Sequence, residues 1–436
     1  MKIFSRVLFA AALLLAALTV ATPSQARVYI DITQPFSRQL PLAMPAFETM
    51  EGGGPGSAGP DGHRILKDCL SFTGMFDFLN PKSFLKVPAP GMIDYRQWAV
   101  VGAELLITVN YKQVGNSLSM ECRLYDVVDK KLLTGRRYDG VVGDVGAMMS
   151  RFADEVMLAL TGDRSVFSTM IAFVSANGGK KEIKLMRWDG SGVRQFTHRG
   201  DLCLYPAWSS DGTLLAYTAY LKRRPAIFVH ALAGGSGQVV VNKTGVNLTP
   251  AFRPGRRELA VAMSHTGKTN IFLVSQTGEI IRQLTDGWGI EVDPAWSPDG
   301  NKMAFVSDRG GTPQVYVLNL VTNQVTRLTF GTKYAAAPDW SPKGDRLALQ
   351  VQVDGTFQVA TVRPDGGNLQ VLTSGYGGGE NPSWSPDGRL IAYASRKTGT
   401  YQIYVMTSDG RPIRRITNLP GEQTDPAWSP RGVAVK

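Results

Sequence analysis

The sequence predicts two domains: a small N-terminal α/β domain, then an all-β six-bladed propeller closed by N- and C-terminal strands of the repeat region. Three observations carry this. A seven-residue pattern recurs six times at a spacing of 44: PAWSSDG from Pro206, PAFRPGR from Pro250, PAWSPDG from Pro294, PDWSPKG from Pro338, PSWSPDG from Pro382 and PAWSPRG from Pro426. The 47 glycines and 25 prolines make up about a sixth of the 436 residues, an excess that favours turns and short strands. The chain before residue 164 lacks the repeat and mixes helical with alternating apolar spacing.

Residues 1–26 read as a secretory signal peptide. Lys2 and Arg6 supply the charged start, residues 7–20 the apolar core, and Ser24-Gln25-Ala26 a small-residue cleavage site before Arg27. An uncleaved anchor is the alternative, but about fourteen apolar residues fall short of the ~20 that a bilayer requires. No transmembrane segment is expected in the mature chain.

The N-terminal domain spans 27–163. Strands are predicted at 28–32 and 40–47, and a loop at 51–62, where six glycines and two prolines crowd together. Residues 63–79 have helical spacing, with Ile65, Leu66, Cys69, Leu70 and Phe76 on one face. Strands at 104–112 and 118–125 flank the hairpin signal Val114-Gly115-Asn116-Ser117, and 132–138 continues the meander. Val145, Met148, Met149, Phe152, Val156 and Leu160 mark a final amphipathic helix that ends before Gly162. That stripe reads as core. Cys69, Cys122 and Cys203 are too few for a disulfide framework. They read as small buried hydrophobes, with a Cys69–Cys122 bridge as the alternative.

Residues 164–436 form the propeller. Each WD40-like unit holds a turn, two alternating apolar runs, a Gly-containing turn and a third run, so four strands per 44 residues. The recurring aromatic (Trp208, Phe252, Trp296, Trp340, Trp384, Trp428) is expected to wedge between neighbouring blades. The last copy stops too early to supply its other strands. Those appear before the first repeat, at 170–175, 182–188 and 193–197, so the ring closes with its innermost strand from the C-terminal end. Closure leaves no free edge.

No catalytic constellation can be assembled. His63, His198, His230 and His265 are scattered, and no nucleophile elbow, phosphate loop or C-x-x-C occurs. Asp211, Asp299 and Asp387 recur, but an Asp in that place bonds its own turn backbone. The net charge of +11 suits solubility or an acidic partner and does not imply nucleic acid. The basic clusters Lys222-Arg223-Arg224 and Arg414-Arg415 read as solvated surface.

Differences between the repeats place the candidate site. The residues before each recurring proline enter the innermost strands, and ring symmetry gathers them at one mouth of the channel. There the copies diverge, as expected where a non-symmetric protein epitope is read. The predicted contacts are Tyr205, Asn247, Thr249, Glu291, Val292, Asp293, Glu380, Asn381 and Asp425. The set holds four carboxylates and neither Lys nor Arg. A solvated acidic rim and a channel-bound Ca²⁺ are the alternatives, though no loop has a dedicated calcium spacing. No other cofactor is expected.

An exported chain with this N-terminal domain, six WSPDG-type blades and an end soon after the last Trp-Ser-Pro resembles the TolB family of the Tol–Pal system. The joints such as Leu284-Thr285-Asp286-Gly287 and the helix leading into the first blade strand are similar in character. The resemblance implies a periplasmic adaptor without enzymatic activity. It would bind the peptidoglycan-associated lipoprotein Pal at a propeller mouth and TolA through the N-terminal segment and domain. Other envelope proteins are further candidates. The implied role is outer-membrane integrity and constriction during cell division. Val28, Ile30 and Ile32, which by themselves read as a strand, become contact residues on this resemblance alone. The degenerate turn Arg253-Pro254-Gly255-Arg256 and the Gly-rich loop depart from the pattern. The rival reading is the propeller of a periplasmic peptidase- or lactonase-like enzyme. A peptidase would need a further domain of roughly 200 residues and a nucleophile.

Overall fold

A computed structural model describes residues 39–54, 56–84 and 93–432. The expected signal peptide and the contact residues Val28, Ile30 and Ile32 lie outside the described residues.

The N-terminal domain is one mixed sheet with strands in the spatial order Phe76–Phe78, Leu40–Ala43, Leu105–Val114, Ser117–Asp126 and Lys131–Val141. Leu40–Ala43 runs parallel to both of its neighbours, and the last three strands form the expected antiparallel meander. The helices Ala58–Phe72 and Val145–Thr161 cover one face, where Leu66, Leu70, Ile107, Met120, Met149 and Phe152 are fully enclosed. The short Tyr95–Val100 helix, which sequence spacing does not announce, caps the other face with Trp98.

Three local expectations are corrected. The Gly-rich loop is shorter than predicted, because the helix starts at Ala58 and takes in Gly59 and Gly62. Close packing explains those glycines: a Cβ at Gly59 would stand 2.5 Å from the Tyr111 ring, and one at Gly62 3.0 Å from Phe47. The same helix ends at Phe72, and Phe76 belongs to an edge strand beyond it. Residues 40–47 are not one strand: pairing stops at Ala43 and resumes at Glu48–Thr49. The three cysteines are unpaired and buried, so Cys69 and Cys122 are not bridged. Burial pushes the Cys69 and Cys203 thiols up to about 12.

Six four-stranded antiparallel sheets follow. Five use consecutive strands, from Cys203–Trp208 through to Pro412–Arg415. The sixth is the predicted composite, in which Glu422–Trp428 pairs with Met170–Asn177, ahead of Lys180–Arg187 and Arg194–Gln195. Side chains lock this junction. Ser429 N donates to Met170 O at 2.8 Å, Ser429 Oγ accepts from Met170 N at 2.9 Å, and Trp428 Nε1 donates to Thr169 Oγ1 at 2.8 Å. Arg431 adds bonds of 2.6 Å to Asp163 and to the Arg164 carbonyl.

The repeat has a physical reason at each position. In the turn, Ser209 Oγ donates to Asp211 at 2.6 Å and accepts from Leu214 N at 2.9 Å, while Gly212 takes the left-handed conformation. The recurrent aspartates are therefore turn residues, and these bonds hold the Asp211 and Asp299 carboxyls below the usual range. The indoles of Trp208 and Trp296 reach across the blade boundary to Ala427 O at 2.9 Å and Ala251 O at 3.1 Å. In the degenerate second turn, Arg253 takes over the bracing, with bonds to Glu258 at 3.0 Å and Gly300 O at 3.1 Å.

The two domains share apolar core. Trp188 of the sixth blade meets Phe72 and Phe167 edge-on at 4.6 and 5.1 Å, and the Arg414 guanidinium lies over Phe72 at 5.4 Å. A cleft of about 670 Å³ separates residues 72–75 from the turns around Lys343 and Arg389. The N-terminal domain thus sits at the end of the ring that carries the WSPDG-type turns. The strand-entry end lies opposite.

Candidate functional site

A central channel of about 440 Å³ runs from the ring of residues before the recurring prolines to the WSPDG-type turns, and the strand-entry mouth lies on the other side of that ring. Six residues, one per blade, stand just before the recurring prolines and line it: Tyr205, Thr249, Asp293, Ala337, Asn381 and Asp425. None is glycine, yet all take the left-handed conformation, with φ of 53°, 48°, 52°, 49°, 49° and 49°. A proline disfavours the right-handed helical region for the residue before it. A left-handed non-glycine costs about 1–2 kcal/mol. The ring therefore holds strain six times over, and each inner strand shifts register at this point. The bulge turns a side chain into the channel where regular pairing would bury or cover it.

Two carboxylates face each other across this ring. Burial and the neighbouring Asp425 push the Asp293 carboxyl up to about 6, against the opposing hydrogen bond from the Ala337 backbone. Burial also raises Asp425, whose oxygens accept from Asn381 Nδ2 at 3.0 Å and Thr424 Oγ1 at 2.8 Å. Tyr205, beside both acids, is pushed up to about 12, chiefly by burial. Thr249 Oγ1 accepts from Asp293 N at 3.2 Å and so stitches neighbouring blades.

Five of the predicted contacts (Tyr205, Thr249, Asp293, Asn381, Asp425) share one wall, and Val292 and Glu380 stand half-buried beside it. Glu380 accepts from the Tyr401 hydroxyl at 2.6 Å. Two assignments are corrected. Asn247 is buried, and its amide donates to the carbonyls of Lys243 at 2.7 Å and Pro225 at 3.0 Å. Glu291 is fully buried in an ion pair with Arg309, whose guanidinium lies over the Phe305 and Tyr316 rings. Both hold loops in place. The predicted set holds neither Lys nor Arg, yet Glu291 is neutralised by Arg309, which lies eighteen residues on and returns through the strand pairing of Glu291 with Ser307.

No group of three or more His, Cys, Asp and Glu is placed to hold a metal among the described residues. No helix among the described residues is long and apolar enough to cross a membrane.

The sequence is similar to two family models, the TolB amino-terminal domain over residues 28–133 and the TolB beta propeller domain over 157–432. It is 40% identical over 266 residues to the Tol-Pal system protein TolB of Desulfosudis oleivorans, a match covering 60% of each chain. With the protein TolB homolog of Chlorobium chlorochromatii it shares 35% identity over 260 residues, 59% of this chain and 58% of that one. The matches therefore span about three-fifths of these curated relatives. The crystal structure of TolB from Acinetobacter baumannii superposes with a TM-score of 0.77 at 26% identity, over 90% of this chain and 97% of that one.

Proposed function

Because the chain belongs to the TolB family, we propose that it works as a non-enzymatic periplasmic adaptor of the Tol–Pal system, with the strand-entry mouth as its docking site for the lipoprotein Pal. The observation that supports this most is the strained ring itself. Six positions with one backbone geometry carry Tyr, Thr, Asp, Ala, Asn and Asp, so the framework repeats while the chemistry lining the channel does not. A symmetric substrate needs no such variety, and a protein epitope does. TolA contacts belong to the N-terminal segment and domain, and the two engagements together serve outer-membrane integrity and constriction at division.

The test uses the purified chain with the soluble domains of Pal and TolA from the same organism. Saturable binding of both, with no turnover of peptide or lactone substrates, is expected. Turnover of such a substrate without binding of either partner would replace the adaptor by the enzyme reading.

A further inference from the structure

The rim of this mouth is not uniform. The loops entering the third, fourth and fifth blades carry Trp288, Phe330 and Tyr376, which are 72%, 62% and 76% exposed. The loops entering the other three blades, at 197–202, 242–246 and 416–421, hold no exposed large hydrophobic side chain among the described residues. Inner strands Glu291–Trp296, Ala335–Trp340 and Glu380–Trp384 are neighbours in the ring, so the three aromatics form one arc on half of the mouth.

Each aromatic stands on a braced loop. Beside Trp288, Ile290 N donates to Asp308 at 2.7 Å, and the buried Glu291–Arg309 pair anchors the next residue. Near Phe330, the Gln314 amide reaches Thr332 O at 3.0 Å and accepts from Thr329 at 2.7 Å. After Tyr376, Ser395 Oγ donates to Gly378 O at 2.7 Å. Bracing lowers the ordering cost of binding, and rigid exposed Trp and Tyr are the residues that dominate protein interfaces.

Cations accompany the arc. The Arg327 guanidinium lies 5.1 Å from the Phe330 ring, and Lys268 lines a hollow with Trp288, opposite Asp308, whose carboxylate is held by Ile290 N. Carboxylates of the partner would therefore face the outer rim.

We infer that the partner docks off the channel axis, on the arc of Trp288, Phe330 and Tyr376, through an apolar surface edged with acidic side chains. This rests on the mouth-docking reading above and adds the half of the mouth that is used. Half-buried Val292 and Tyr334 continue the arc inward toward the channel.

The experiment measures binding of the soluble Pal domain, at low and high salt, to Trp288→Ala, Phe330→Ala and Tyr376→Ala. His198→Ala and Lys243→Ala, on the opposite half, serve as comparisons. These side chains are exposed, and melting curves confirm folding. The arc variants should each weaken binding about tenfold or more, mainly through faster dissociation, while the comparison variants stay within about twofold. Lys268→Glu should weaken binding at low salt and less so at high salt. Wild-type binding with all three arc variants unchanged would overturn the arc and leave the mouth standing. Equal losses on both halves would overturn it in favour of an axial footprint. No binding by the wild type would remove the partner assignment itself, and the arc with it.

Discussion

Truncation after Gln423 removes most of the strand that closes the ring. It deletes the pairing of Thr424, Ala427 and Trp428 with Val174, Ala172 and Ile171, all three of which are fully buried. It also unseats Trp428, which is 6% exposed, and orphans the Met170 N–H that Ser429 accepts. A buried aromatic of this kind covers about 150–250 Å², or roughly 4–6 kcal/mol at 25 cal/mol per Å². The unmade hydrogen bond at Met170 adds about 1–3 kcal/mol. Against a typical domain stability of 5–15 kcal/mol, that loss is comparable with the whole. The milder Trp428→Ala should cost about 3–5 kcal/mol. Urea titration followed by tryptophan fluorescence and circular dichroism reads both variants. The truncated chain should lose its single cooperative transition and gain a tendency to associate through the exposed edge of Met170–Asn177. A truncated protein with the wild-type midpoint and slope would refute the closure argument.

Three further outcomes follow from particular contacts. The Asp293 carboxyl is raised in the folded chain, so its contribution to stability is fully present below about pH 4 and is lost as pH rises through about 6. Asp293→Asn should therefore stabilise by about 3 kcal/mol at pH 7 and by well under ~1 kcal/mol at pH 4, in denaturant titrations at both values; equal effects at the two would contradict the assignment. Asp154 accepts from Phe167 N at 3.2 Å and Ser168 N at 2.9 Å, holding the passage from the last helix into the propeller. Asp154→Ala leaves those N–H groups unpaired and should cost about 1–3 kcal/mol in urea. Gly59→Ala should destabilise by about 1–3 kcal/mol despite the better helix propensity, because the new Cβ meets the Tyr111 ring at 2.5 Å; a raised melting temperature would show that the ring gives way.

The propeller was legible because its framework is written six times. The turn serine and glycine and the wedging tryptophan each solve a problem that every blade has, and the missing strands of the last copy pointed to the composite blade. The threonine of the blade joints, as in Leu284-Thr285-Asp286-Gly287, has a physical reason of its own. Thr197, Thr285, Thr329, Thr373 and Thr417 recur after an apolar residue, and each Oγ1 accepts a backbone N–H of its blade's third strand, as from Ile271 at 2.9 Å.

The N-terminal domain was less legible because it is written once. Gly59 and Gly62 look like loop residues until Tyr111 and Phe47, far along the chain or across a turn, are known to press on them. The site was half legible. Spacing placed the channel ring, because the position before proline is fixed by the repeat. It could not separate Asp293, which faces the channel, from Glu291 two residues earlier, which is turned into the blade against Arg309. The left-handed bulge between them decides which side chain emerges. The aromatic arc was less legible: Trp288 and Tyr376 share one position of the repeat, but the other copies carry Gly200, Thr244, Thr332 and Pro420 there, and Phe330 stands two residues earlier.

Hydrogen–deuterium exchange of the chain, alone and with the soluble Pal domain, tests the docking mouth most directly. Protection is predicted in the loops 284–293, 328–337 and 372–381, with the WSPDG-type turns at the other end of the ring unchanged. Protection confined to those turns, or to the N-terminal domain beside them, would contradict the account.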